Sequence, residues 1–281
     1  MREISSENIA DIVADTVKSA NYNLPQSVLD RIVEMRKTES SQIALDILDQ
    51  IIQNAKIARK QNMPICQDTG FSVFFVKMGS DVKIVGETLE EAISSGVARG
   101  HIDGYLRKSI VEDPVRRNRN TGDNTPPVIW IEITPGDKLI IDYTPKGGGS
   151  ENMSQVRMMK PADGEEGLCD FVMDSLIKAG GNPCPPVIIG VGTGGTFEKC
   201  AWLSKKALLR DIGERNPDPY YANLEKMLLE RANSTGIGPM GLGGNTTALE
   251  VFIEQHPCHI ASYPVAVNFN CHATRHRKII L

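Results

Sequence analysis

The 281-residue chain has no CxxC pair among its six cysteines, no excess of positive charge and no long apolar run. Each absence excludes something. Lys and Arg number 31 against 35 Asp and Glu, a formal net charge of −4, so no basic field grips nucleic acid or an anionic membrane. The longest apolar runs, such as Pro185–Val191, fall far short of the ~20 residues a transmembrane helix needs. Met1–Ala20 carries Glu3, Glu7, Asp11 and Asp15 and lacks an apolar core, so no export signal is expected there. These readings predict a cytoplasmic protein. The hydrophobic fraction of 41% and charged fraction of 23% are ordinary for a globular chain, and the length can bury a sizeable core.

Residues 1–62 read as a helical lead-in. Pro25 suits the first turn of a helix that shows Val28, Leu29, Ile32 and Val33 on one face. Ser40 or Ser41 can cap the next helix, whose stripe is Ile43, Ile47, Ile51 and Ala55, and Pro64 forbids its continuation. From residue 63 to 281 the texture becomes mixed α/β. Strands are expected at Phe71–Val76, Val187–Val191, Val251–Ile253 and Val265–Phe269, and helices at Leu89–Ala98, Glu166–Ala179, Phe197–Leu209 and Tyr221–Ala232. Val128–Ile133 and Leu139–Tyr143 flank Pro135-Gly136, a turn signal that predicts a hairpin. The Asn-rich, charged stretch Arg116–Thr125 reads as a mobile loop. Helices first and mixed elements after predict one α+β domain rather than a regularly alternating barrel.

The cysteines lie at 66, 169, 184, 200, 258 and 271. Cys169 and Cys200 fall inside amphipathic helices and read as packing residues, and Cys258 is ambiguous. The other three have unusual surroundings. Ile65-Cys66-Gln67-Asp68-Thr69-Gly70 sets a soft ligand beside an amide and a carboxylate, although a turn capped by Asp68 would look the same. Cys184 is bracketed by Pro183 and Pro185, which fix the backbone and present the thiol rigidly beside the glycine-rich run Gly192–Thr196. Cys271 ends a strand beside His272 and near Arg275, neighbours that favour a thiolate. A fourth segment, Lys146-Gly147-Gly148-Gly149-Ser150-Glu151-Asn152, matches no phosphate-loop pattern; its peptide N–H groups could cradle a carboxylate, or it could be a flexible loop. Together these features point to metal or thiol chemistry and name no substrate.

The segments ICQDTG, KGGGSEN, CPPVIIGVGTGGT, GLGGNTTAL and CHATR resemble, over essentially the whole chain, the alpha subunit of two-chain class I fumarate hydratases. The resemblance implies a [4Fe–4S] cluster held by Cys66, Cys184 and Cys271, with one iron left open to substrate. It implies that Gln67, Asp68, Arg107, Gly148, Gly149 and His259 lie around a C4 dicarboxylate, with Arg107 clamping a carboxylate and Asp68 and His259 taking part in the chemistry. Arg107 as a solvated helix residue and His259 as a structural histidine are the plainer alternatives. Single-chain relatives carry a further Lys-Gly-Thr-Ser-Arg-like segment whose threonine acts as base. Because the chain ends at Leu281 without it, the resemblance implies a separate beta subunit, in a heterotetramer of two such pairs. The expected reaction is reversible hydration of fumarate to (S)-malate. L(+)-tartrate dehydratase is the nearest rival. A non-enzymatic iron–sulfur redox or sensor protein is the remaining reading, disfavoured because electron carriers usually hold their clusters with four closely spaced cysteines.

Overall fold

A computed structural model describes residues 1–281. In chain order the elements are β1 (Arg2–Ser5), α1 (Ser6–Tyr22), α2 (Gln26–Thr38), α3 (Gln42–Gln61), β2 (Phe71–Gly79), β3 (Val82–Val85), α4 (Leu89–Asp103), β4 (Val128–Thr134), β5 (Leu139–Lys146), α5 (Gly148–Glu151), β6 (Gln155–Met159), α6 (Gly164–Ala179), β7 (Val187–Gly194), α7 (Phe197–Ala207), α8 (Pro219–Asn233), β8 (Ala248–His256), β9 (Tyr263–Asn270) and β10 (Arg277–Ile280). Helices combine with mixed sheets, so the fold is α+β. No helix is long and apolar enough to cross a membrane. The chain divides into two compact units: Met1–Leu24, Ala55–Gly148 and Arg275–Leu281 form the first, and Pro25–Asn54 and Gly149–Thr274 the second.

The first unit holds a four-stranded sheet in the order β10-β5-β2-β4 and a parallel β1–β3 pair. The lead-in is therefore helical only after its opening strand. Helix α1 buries Ile9, Val13 and Val17, one turn apart, against a core that includes Phe74, Val76, Ile93, Val97 and Ile141. Helix α4 begins with a reciprocal capping box, Thr88 with Glu91. It can lie close to α1 because Gly96 and Gly100 face it; a Cβ at Gly100 would stand 2.8 Å from the Val17 Cβ.

The expected hairpin of residues 128–143 does not form. Strand β2 lies between β4 and β5, parallel to the former and antiparallel to the latter. The physical reason is in β2 itself, where Ser72–Val76 is buried on both faces and needs a neighbour on each side. The Pro135-Gly136 turn exists, but it wraps over the end of β2: Ser80 N donates to Thr134 O at 2.7 Å and Gly79 N to Lys138 O at 2.8 Å.

The second unit is built on the sheet β6-β9-β7-β8. All eight residues of β7 are buried, and it pairs parallel with β8 and antiparallel with β9. One core cluster joins Leu168, Val172 and Leu176 of α6 and Leu224 and Leu228 of α8 to Val251, Val265 and Val267 of the sheet. Against β7 runs α7. The glycines of the β7 run serve this contact, since a Cβ at Gly192 would stand 2.8 Å from the Leu203 Cβ. Helix α3 starts where Ser41 Oγ accepts the Ala44 N–H at 3.4 Å, and it ends before Pro64.

Candidate active site

The chain between α3 and β2 forms a cradle around Cys66. Both Asp68 carboxylate oxygens accept backbone N–H groups: Oδ1 from Gly70 at 3.0 Å and Oδ2 from Gly148 at 2.8 Å. The first bond is the local Asx turn that the sequence suggested. The second ties the loop to the glycine segment eighty residues on. Gly70 is required there, because it has φ +80° and a Cβ would stand 2.8 Å from the Lys146 N. Thr69 Oγ1 donates to the Arg107 carbonyl at 2.8 Å, so the Arg107 backbone is fixed beside the loop while its side chain stays exposed. Within this cradle the half-buried Cys66 Sγ accepts the Asp68 N–H at 3.4 Å and lies 3.3 Å from the Gln67 Oε1. The first unit thus gathers Cys66, Gln67, Asp68, Arg107 and Gly148.

Two buried groups that the sequence did not single out support this loop. The His101 ring, fully buried, donates from Nδ1 to the Val97 carbonyl at 3.0 Å and receives the Asn124 amide at Nε2. Asn124 Nδ2 also reaches the Gly70 carbonyl at 3.0 Å, and its Oδ1 accepts the Ser109 N–H. Burial pushes the His101 pKa down, which suits this neutral arrangement. The stretch expected to be a mobile loop is therefore anchored at Asn124, and again where Asn120 Nδ2 donates to the Lys108 carbonyl at 3.0 Å. Arg275, 3% exposed, donates from Nη2 to the Asp68 carbonyl at 2.9 Å, while its Nε and Nη1 have no acceptor within the protein.

In the second unit Cys184 and Cys271 come together at one end of the sheet. Cys271 follows the last residue of β9, whose Asn270 lies opposite Ile188 near the start of β7. The Cys184 carbonyl accepts both the His272 N–H at 3.3 Å and the His272 ring at 3.0 Å. Cys184 has φ +56°, a left-handed conformation uncommon outside glycine, held by the flanking prolines and by its N–H bond to Gly181 O at 3.1 Å. Gly149 faces the same turn; a Cβ there would stand 3.3 Å from the Asn182 carbonyl oxygen.

The remaining thiols differ. Cys169 and Cys200 are buried, and burial pushes the Cys169 thiol up and the Cys200 thiol up to about 11. Cys258 is exposed, with its Sγ 3.3 Å from the Ser262 carbonyl. His259 is not with the paired thiols. It lies beyond β8, in the loop whose Pro257 carbonyl accepts the Gly195 N–H at 3.2 Å, with its own Nδ1 accepting the Ala261 N–H at 3.1 Å. The eight-residue length of β7, roughly 25 Å of extended chain, separates this end from Cys184 and Cys271. No three His, Cys, Asp or Glu side chains of the chain lie close enough together to hold a metal ion.

The GLGGNTTAL segment is held by one carboxylate. Glu39 accepts the Ser40, Ser41 and Asn245 N–H groups and the Thr246 hydroxyl. Burial works against its charge, but bonds from Ser41, Thr246, Asn245 and Ser40 keep its pKa below the usual carboxylate value.

Comparison with known proteins fits this arrangement. The family model described as "Fumarate hydratase (Fumerase)" matches residues 10–280. A Methanocaldococcus jannaschii protein provisionally named as L(+)-tartrate dehydratase subunit alpha is 44% identical over 272 residues, covering 95% of each chain. The L(+)-tartrate dehydratase subunit alpha of Escherichia coli O157:H7 is 36% identical over 275 residues, 97% of this chain and 90% of the relative. That of Escherichia coli K12 is 35% identical over the same length and coverage. With nearly every residue of both units inside the matched range, the chain belongs to the fumarate hydratase (Fumerase) family.

Proposed function

We propose that the chain is the alpha subunit of a hydro-lyase that adds or removes water across a C4 dicarboxylate, with fumarate and (S)-malate as its substrate pair. The observation that carries this reading is the cradle of the first unit, where the Asp68 carboxylate, its backbone N–H and the Thr69 hydroxyl hold the glycine segment, the half-buried thiol and the exposed arginine loop in a fixed relation. The donor set suits the iron–sulfur group that the family implies. Cys66, Cys184 and Cys271 are half-buried thiols at the ends of ordered segments, and soft sulfur ligands favour such clusters. These three would be its ligands. When bound, a cluster with one iron free of protein ligands supplies a Lewis acid for a substrate hydroxyl and carboxylate.

The chain's own residues do the rest. Arg107 offers a planar fork to a substrate carboxylate. Gln67 presents an amide beside the thiol, and the peptide groups at Gly148 and Gly149 line the approach. With both oxygens occupied, Asp68 fixes the Gly70 and Gly148 peptides. The proton at carbon is taken by a residue of a second subunit, consistent with relatives named as alpha subunits. The six free cysteines support a reducing compartment, which on this reading is the cytoplasm.

The Lys146–Asn152 segment favours fumarate and (S)-malate, whereas the names of the relatives favour L(+)-tartrate as a second reading. An anaerobic assay of the co-expressed pair with fumarate, (S)-malate and the tartrates decides. A higher kcat/KM for (S)-malate is expected. Turnover of L(+)-tartrate alone would select the second reading, and no turnover of any of them would overturn both.

A further inference from the structure

The two edges of the sheet in the first unit are unlike. Strand β10 has four residues, two of them Arg277 and Lys278, and Lys278 lies 3.7 Å from the Asp142 carboxylate. A short basic edge resists pairing with another sheet. Strand β4, at the other edge, is seven residues long, reads Val-Ile-Trp-Ile-Glu-Ile-Thr and hydrogen-bonds to β2 alone. Trp130, Ile131 and Ile133 are 45%, 40% and 68% exposed. A long apolar edge with one charge is a template for a further strand.

The composition of β4 indicates which strand. Pro127 and Pro135 bracket it, each four residues from Ile131, and neither can donate a ladder hydrogen bond. Antiparallel pairing with its own copy about a two-fold axis through Ile131 uses all seven residues between the prolines. It sets Ile129 opposite Ile133 and Ile131 opposite itself, so one face becomes an unbroken isoleucine ladder. On the other face Glu132 lies opposite Trp130 and never opposite its own copy. Centring the axis on Glu132 would oppose like charges, and centring it on Trp130 would bring Pro127 against Ile133 and leave Thr134 beyond the strand. The strand is complementary to itself in one register.

We propose that β4 is an interface between two copies of this chain, joined antiparallel about a two-fold axis at Ile131 into one eight-stranded sheet. A two-fold contact of this kind is closed and uses the same patch on both copies. The inference rests on the edge strand alone and stands whichever substrate the enzyme takes.

The test uses the full chain, purified alone and with its second subunit. Light scattering after gel filtration should give a mass containing two copies, and Ile131→Lys should halve the number of copies while the circular dichroism spectrum is unchanged. Should that variant fail to fold, cysteine cross-linking in a Cys258→Ser background reads the register directly. Ile131→Cys should give an oxidised dimer by itself. Ile129→Cys should not, but it should cross-link when mixed with Ile133→Cys. A wild-type mass containing one copy, Ile131→Lys with the wild-type mass, or Ile129→Cys linking to itself as readily as Ile131→Cys would each overturn the proposal. So would Ile131→Cys linking only to the second subunit.

Discussion

The two units present their half-buried thiols by different physics. In the first, Cys66 is held by polar bonds, with Asp68 gripping two peptides, Arg275 gripping the Asp68 carbonyl, and Asn124 gripping Gly70. In the second, Cys184 is held by steric restriction, between two prolines and in a left-handed conformation, and a single histidine bonds its carbonyl. The first cradle depends mainly on polar bonds and the second mainly on backbone restriction. Rigid presentation of a thiol therefore does not require one kind of scaffold, and each kind has its own mode of failure.

The largest expected effect removes the contrast altogether. Cys66→Ser, Cys184→Ser and Cys271→Ser should each abolish the visible absorbance of the anaerobically reconstituted protein and its hydratase activity. Cys169→Ser and Cys200→Ser should retain both, because those thiols are buried in packing positions. Loss of absorbance in only one unit's variants would break the shared role of the three.

Asp68→Ala leaves the Gly70 and Gly148 N–H groups without their acceptor, and should cost about 1–3 kcal/mol in denaturant unfolding. Its steric counterpart is milder. Pro183→Ala acts mainly by loosening the unfolded chain, and should cost about 0.4–1 kcal/mol in the same measurement. Equal losses at the two positions would erase the distinction between the cradles.

The smallest effect is the pH response of the polar cradle. The His101 pKa is depressed in the folded state, so its contribution is fully present above the unfolded value of 6.5 and is lost as pH falls. Between pH 7 and 5 the stability of the wild type should decline with a His101 component of at most about 1.4 kcal/mol per pH unit. His101→Gln should flatten that part of a Tm-against-pH series. An unchanged slope would remove His101 from the account.

Much of this was legible in the sequence because the signals are local. The core helices followed from apolar spacing, the Ser41 cap and the Asp68 turn from residue type, and the burial of Cys169 and Cys200 from their helical positions. What failed needed partners distant in sequence. Pro135-Gly136 announced a turn, but only the two-sided burial of Ser72–Val76 decides that β2 lies between the flanking strands. The four-residue strands β1, β3 and β10 are too short to show a period. Gly192, which opens the glycine-rich run beside Cys184, lets α7 approach β7. Asn124 looked like loop and is fully buried. His259, which the resemblance sets near the substrate, lies at the far end of β9 from Cys271.

The bond from Gly148 N to Asp68 joins residues that synthesis separates by eighty positions, and it involves no cofactor. The turn around Cys66 is thus shaped by a long-range contact as well as by its own sequence. For the bench it means that a short peptide spanning Ile65–Gly70 is no surrogate for the site, since half of what shapes it is made elsewhere in the chain.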